Sequence, residues 1–393
     1  MVKYKYIPGW CNGSTSASGA FSLGSSPSPG VFYILNLTGH GSMVERSLWE
    51  REVPGSSPGA PIFGVPMPTK IFKQANILPA YTLFLTPSDF KDIKINNDLQ
   101  VFVSKPIKAP FNFDTLVPSL NVVYKSENAA VLVQTAVKTD KGWSGLYKVF
   151  YLSKNYKKTF TELKDNFVVR QGDTLMPRPK ASAFKLQITV LGKAKINLIT
   201  AALTNKDIKH NTELSLEGLE VKDIELPIKP LSQKEYKDKK LRNEICSPTC
   251  LTMALNYFGK KVALEDTVKG VFDEEAKIYG TWPFNTAFAG EFGLKCCVVR
   301  CASLAQAEAE IYQARPLIIS VSFKNGELKN APVKETDGHL ILISGIDENG
   351  NFIVLDPAAP TAKSVRRIYT RKDLAKVWLK NKRGLAYAFS YEK

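Results

Sequence analysis

Two cysteines stand one helical turn apart in "ICSPTCLTMALNYFG", residues 245–259. The stretch carries the marks of a helix start. Pro248 suits a first turn, where its missing N–H costs nothing. Leu251, Ala254, Leu255 and Phe258 recur at helical spacing on one face, and Gly259 supplies a stop. Cys246 then falls at or just before the N-cap. Free N–H groups and the positive end of the helix dipole favour a thiolate there. Cys250 lies a turn inside, beside Ala254 and Tyr257, and reads as a small buried packing residue. Cys246 is therefore the nucleophile candidate, with a plain buried thiol as the alternative.

A thiolate nucleophile needs a base, and the base needs an orienting acceptor. His339 is the only histidine after Cys246, and it opens "DGHLILISGIDENGNFIVLDP" (337–357), which reads as strand, tight turn, strand. A four-residue loop Asp347–Gly350 would pair Ile346 with Asn351 and set Ile341 opposite Asp356. His339 is then a diagonal neighbour of Asp356 on one sheet face, within reach of long side chains. A two-residue Asn349-Gly350 turn keeps both on one face but further apart, and a three-residue loop puts them on opposite faces. The alternative is a strand-edge histidine and a turn-capping aspartate.

The elements that must position these residues change character along the chain. From about 70 to 225 the pattern is short alternating or apolar runs cut by turns, among them "LQVFVS" (99–104), "LNVVYKS" (120–126), "AAVLVQTAV" (129–137) and "AFKLQITVLG" (183–192). Such spacing predicts an antiparallel β-sandwich. Nothing catalytic stands out in it. His210 reads as a surface histidine, and Trp143 as either a packing residue or a sugar-stacking one. "LPIKPLSQ" (226–233) ends the β pattern at a domain junction. Beyond residue 240 the rhythm is helix first, strands later, with further helices over 283–292 and 303–314 and a buried strand over 317–323. Trp282 reads equally as cleft lining or core.

The residues quoted around Cys246, His339 and Asp356, with "PIKPLSQ" upstream, resemble the cysteine peptidases that process double-glycine leader peptides of bacteriocins. The likeness is closer to their broader, non-transporter relatives in the papain superfamily. Further matches are "GTWPFNTAFAGEFGL" (280–294), "SLAQAEAEIYQARPLIISVSF" (303–323) and "VRRIYTRKDLAKVWL" (365–379), so the resemblance covers most of 226–393. It implies a Cys246–His339–Asp356 triad and a Gln233 side chain that forms the oxyanion hole with the Cys246 N–H. A preorganised amide donor of this kind is typically worth about 3–4 kcal/mol. Two departures stand out. Ser247 replaces the glycine that commonly follows the nucleophile, and Gln233 lies 13 residues ahead of Cys246, further than in the leader peptidases. A weaker likeness, through 113–122 and 170–190, reaches a β-rich domain that precedes the peptidase-like one in some relatives.

The expected fold is thus α+β: a papain-like cysteine peptidase domain over 226–393, its nucleophile helix packed on an antiparallel sheet, preceded by an all-β sandwich over 67–225. Residues 1–66 differ from both. They are rich in Gly, Ser and Pro and hold a near-repeat, "GSSPSPG" at 24–30 and "GSSPGAP" at 55–61. Gly-Ser-Ser-Pro is what a transfer-RNA gene gives when its T-arm is read as codons. The segment is expected either to be a disordered linker or to precede a true start near Met67.

Bulk properties narrow the function. At 44% apolar and 23% charged, with no clean apolar run of membrane-spanning length, the sequence is that of a globular protein without a membrane span. The net charge of +16 comes from scattered lysines without a nucleic-acid motif. It reads as a solvated surface, or as an attraction to acidic or cell-wall polymers. Six cysteines at 11, 246, 250, 296, 297 and 301 lack finger or ribbon spacing, so no metal and no cofactor is expected. No signal peptide begins at residue 1 or after Met67. The expected partner is a peptide or protein substrate. Acyl transfer through the same thioester, and a binding protein on a relict peptidase fold, stay open.

Overall fold

The computed structural model describes residues 80–94, 98–160, 163–207, 216, 218–219 and 221–390. The near-repeat, the expected start near Met67, Cys11 and His210 lie outside the described residues.

Three antiparallel sheets build the described chain. The first runs Ala80–Leu85, Ala194–Thr204, Thr115–Tyr124, Thr174–Pro177, Val168–Gln171 and Leu163–Lys164. The second is centred on Ala181–Leu191 and Ala130–Thr139, paired over nine consecutive positions. Their facing sides share one apolar core, including Leu116, Leu120, Val131, Val133, Phe184 and Ile188. The alternating runs in the sequence are these strands: period-2 patterning puts every second side chain into that core.

The first sheet is buried on its other face too. In Thr115–Tyr124, Leu116, Leu120 and Val122 point to the second sheet, while Val117 joins the core of the C-terminal half. Ser119 and Asn121 share the Val117 face by the same alternation. The β-rich half is therefore not a free-standing unit beside the rest of the chain; its first sheet is a middle layer.

The third sheet carries the order Lys295–Arg300, Leu385–Ser390, Leu317–Phe323, Thr336–Ile346, Phe352–Leu355 and Arg366–Tyr369. Ile224–Glu225 adds to it by pairing with Ile346 and Gly345, so this sheet begins ahead of residue 226. Gly345 is required there, because a Cβ would lie 2.3 Å from the Ile224 carbonyl oxygen. Helices α1 (Cys246–Tyr257), α2 (Leu264–Gly270), α3 (Trp282–Glu291) and α4 (Leu304–Tyr312) pack around the sheet. α1 is buried from Ser247 through Leu255, not along one face only. A helix enclosed on all sides loses its amphipathic stripe, and Thr249 and Thr252 survive inside by bonding the carbonyls four residues back.

Strand Lys295–Arg300 is the edge of the third sheet, and an edge leaves a row of unpaired backbone groups. Side chains of the first sheet fill that row. The Cys296 N–H donates to Asn121 Oδ1 (2.8 Å), Val298 N–H to Ser119 Oγ (3.2 Å) and Arg300 N–H to Thr82 Oγ1 (3.3 Å). Asn121 Nδ2 returns bonds to the carbonyls of Cys296 (2.8 Å) and Thr286 (3.0 Å). Donors two residues apart on one strand meet acceptors two residues apart on another, so two strands that never pair are still in register.

Candidate active site

The His339–Asp356 hairpin reaches its geometry by a route the sequence did not display. Ile346 pairs with Phe352, not Asn351, so the connecting loop is one residue longer than a four-residue turn. Asp347 organises it, its Oδ1 accepting the N–H groups of Asn349 and Asn351. Left alone, the extra residue would invert the face of every residue beyond it. A bulge between Ile343 and Gly345 takes up one residue on the opposite strand, and from Leu342–Leu355 onward the pairing is back in step. Continued one position, that register sets Ile341 level with Asp356.

His339 Nε2 lies 2.8 Å from Asp356 Oδ1, with both residues buried. Asp356 is held on every side. Its Oδ1 accepts the Ala358 N–H (3.1 Å), its Oδ2 accepts the Tyr369 hydroxyl (2.8 Å), and its own N–H donates to Val365 O (2.9 Å). With Nε2 engaged, Nδ1 is the ring atom left for Cys246, and the imidazole and the thiol each favour the other's charged form. Cys246 is the first residue of α1, after Ile245 at the N-cap, and it is only partly buried.

The electrostatics favour charge separation. Burial acts to raise the Cys246 pKa, but the hydrogen bond and charge of His339, with N–H groups of Leu340 and Ser247, outweigh it and lower the thiol below its usual 9.0. Burial acts to lower His339, and the Asp356 carboxylate and Cys246 overcome it, raising the imidazole to about 10. Asp356 is held below its ordinary value against burial by His339, Tyr369 and the Ala358 N–H. Cys250 goes the other way. Burial first, then the charges of Cys246 and Asp356, push it well up, and its thiol donates to Leu340 O (3.4 Å). Leu340 thus serves both sulfurs, its N–H favouring the Cys246 thiolate and its carbonyl accepting from the Cys250 thiol.

Gln233 follows Ser232, whose hydroxyl caps a short 3-10 turn. Its N–H donates to Pro357 O (2.9 Å), beside Asp356, and its Nε2 donates to Arg242 O (2.8 Å), on the approach to α1. The side chain is buried and its Oε1 has no protein partner. Gln233 is therefore clamped between the two segments that deliver Asp356 and Cys246, with its amide bonded to the Arg242 carbonyl.

Other residues, which the sequence did not tie to the triad, touch this site or lie elsewhere in the fold. Tyr369 lies in the quoted "VRRIYT" run, and its bond to Asp356 depends on a strand pairing no local pattern reveals. Ser247 Oγ donates to Asn285 Oδ1 (2.9 Å) and lies 3.0 Å from Tyr387 Oη. A polar Asn285 inside the apolar "WPFNTAFAG" helix was the available signal, because a buried amide must find partners. Trp282 is partly buried against the core, with the Arg300 guanidinium 5.8 Å from its ring centre. Lys185 covers one face of Trp143 at 4.5 Å. Cys296, Cys297 and Cys301 are buried free thiols whose pKa values burial raises. Among the described residues no cluster of His, Cys, Asp and Glu suits a metal ion, and no helix is long and apolar enough to cross a membrane.

Residues 225–385 match the Peptidase_C39 like family. The match lies in the C-terminal part and spans less than half of the chain. A double glycine motif protease from an AMS/PCAT transporter, solved in complex with the leader peptide, is similar at 16% identity over 44% of this chain and 97% of its own, with a TM-score of 0.29. The structure of infectious bursal disease virus, Gx strain, is similar at 12% identity over 38% of each chain, with a TM-score of 0.19. Overlaps of this depth fix neither fold nor chemistry. No curated protein matches the chain. The peptidase C39-like stretch contains Gln233, Cys246, His339 and Asp356.

Proposed function

We propose that this chain is a cysteine peptidase or amidase with a papain-like arrangement, in which Cys246, His339 and Asp356 act as a triad. The observation that supports it is Cys246, a partly buried residue at the start of α1 whose charged form is favoured by a buried imidazole, itself 2.8 Å from a buried carboxylate. The Cys246 thiolate attacks the carbonyl carbon of a peptide bond. The carbonyl π pair moves to oxygen, and the Cys246 N–H stabilises that oxyanion. Gln233 contributes a second donor if its amide turns from Arg242 O toward the cleft when substrate binds. The intermediate collapses, the C–N bond breaks, and His339 gives its Nδ1 proton to the departing amine. A thioester remains. His339, now neutral, takes a proton from water, whose oxygen attacks the thioester and releases the carboxylic acid and the Cys246 thiolate. Asp356 holds the imidazole through Nε2, so Nδ1 faces the sulfur throughout.

The test is hydrolysis of a peptide library by the purified protein, by Cys246→Ala and by Cys250→Ala. Cys246→Ala is expected to abolish turnover with an unchanged circular dichroism spectrum, while Cys250→Ala retains it. Equal cleavage by wild type and Cys246→Ala refutes the assignment.

A further inference from the structure

Ser247 stands immediately after the nucleophile, and its backbone N–H is one of the groups that hold the Cys246 sulfur in its charged form. Its side chain is fully buried and doubly bonded. A serine hydroxyl has one proton, and Asn285 Oδ1 can only accept, so the Ser247 proton goes to Asn285 and Tyr387 donates to Ser247. Asn285 is itself fully buried and has no freedom left. Its Nδ2 donates to the carbonyls of Tyr279 and Thr281, both at 2.9 Å. Those two carbonyls fix which end of the amide faces Ser247.

The helix that presents Asn285 is anchored from the other half of the chain. At its start, Trp282 N–H donates to Asp173 Oδ2 (2.8 Å), from a turn of the first sheet. The N-cap Thr281 donates its hydroxyl to Asp273 Oδ2 (2.8 Å). Asp273 in turn accepts the Thr159 N–H (3.1 Å) and hydroxyl (2.8 Å) from the second sheet. Further along α3, Asn121 grips the Thr286 carbonyl, and Phe284 and Ala287 are members of the β-rich core. The face of α3 that carries Asn285 therefore looks toward the nucleophile because the opposite face is embedded in the β-rich half.

We propose that Asn285 is a positioning residue for the nucleophile: through Ser247 it fixes the first turn of α1, and the β-rich half, by holding α3, is a working part of the active site rather than a separable module. This rests on the peptidase reading of Cys246 for its purpose, though not for its geometry. Displacement of Ser247 turns one N–H away from the sulfur and loosens the Cys246 N–H that faces the oxyanion. The thiolate is then less favoured, and turnover falls with it.

The test uses the full chain and reads Cys246 alkylation by iodoacetamide against pH, site by site in the mass spectrometer, together with peptide hydrolysis. Ser247→Ala deletes only the hydroxyl, Asn285→Ala deletes its acceptor, and Asp173→Ala acts from the β-rich half without touching α1. The expected result is an upward shift of the alkylation midpoint by about half a pH unit or more in Ser247→Ala and Asn285→Ala, with a smaller shift in the same direction for Asp173→Ala. Hydrolysis at neutral pH is expected to drop about tenfold in the first two. If Asn285→Ala fails to fold, Ser247→Ala and Asp173→Ala carry the decision. Wild-type midpoints in folded Ser247→Ala and Asp173→Ala overturn the proposal. A wild-type protein that cleaves no peptide, yet whose midpoint moves in these variants, overturns the peptidase reading and leaves the positioning role standing.

Discussion

Asp356→Asn keeps the shape of the carboxylate and removes its charge, and the consequence for Cys246 can be worked from the site. His339 is raised to about 10 from the 6.5 of a free imidazole, and Asp356 is the first of the groups that raise it, ahead of Cys246. Bringing the imidazole down by a single pH unit, well short of the whole distance, already lowers the thiolate–imidazolium pair about tenfold against the neutral pair. Thermal stability against pH is the wrong assay. A raised histidine contributes stability below 6.5 and loses it as pH rises through about 10. A lowered cysteine contributes above 9.0 and loses it as pH falls through its folded value. Above 6.5 and the folded Cys246 value, and below 9.0, the folded pair holds one proton on His339 and the unfolded pair one on Cys246, so the linkage slope of the pair is zero. Reactivity sees what stability does not. In Asp356→Asn the iodoacetamide rate at Cys246, measured at pH 6, is expected to fall at least about tenfold, with the midpoint moving toward the roughly 8.5 of an ordinary thiol. An Asp356→Asn protein that alkylates with the wild-type profile would show that the carboxylate does not sustain the ion pair.

Tyr369→Phe removes a buried hydroxyl that donates to Asp356 Oδ2 and leaves that oxygen unpartnered. Urea unfolding at pH 7 is expected to show a loss of about 1.5–3 kcal/mol. Asp356 is a lowered carboxylate, so the loss is fully present above 3.8 and shrinks as pH falls through its folded value; a deficit that grows in acid would count against it. Asn121→Leu keeps approximate volume but strips the Cys296 and Thr286 partners from the edge of the third sheet. Melting is expected to reflect a loss of about 2–5 kcal/mol and to remain a single transition, because the β-rich half and the peptidase C39-like half share α3. Two separate transitions in the wild type would contradict the interlocked arrangement.

What the sequence disclosed and what it withheld divide along the range of the interactions. Pro248, the spacing of Leu251 to Phe258 and Gly259 are local, and α1 follows from them, with Cys246 inside the helix as its first residue rather than at or before the N-cap, which is Ile245. The alternating runs of the β-rich half likewise appear as strands, Leu99–Ser104 among them, and the apolar run of the third sheet appears as the buried strand Leu317–Phe323. The hairpin was harder. A turn of Asn349-Gly350 type invites a short loop, whereas the Asp347 side chain gathers two N–H groups and lengthens it. The compensating bulge has one mark in "LILISGID", Gly345, and a glycine inside a strand pattern signals a bulge or a close backbone approach without saying which. Tyr369 and Asn285 owe their positions to tertiary pairing alone. The double burial of Thr115–Tyr124 was hidden for another reason: Ser119 and Asn121 look like solvent-facing residues until the unsatisfied edge they serve is present.

The kink between Ile343 and Gly345 makes two distant stretches of sequence answerable to each other. Turn length and strand irregularity form a matched set: deletion of one residue from 347–351 flips Asp356 to the outer face unless the kink is straightened as well. Insertions here are thus tolerated in pairs and lethal to the site singly, even where every strand survives. A relative with a shorter connection and a straight strand would keep the same histidine beside the same aspartate, although a residue-by-residue alignment would show two gaps, one in the turn and one in the strand before it.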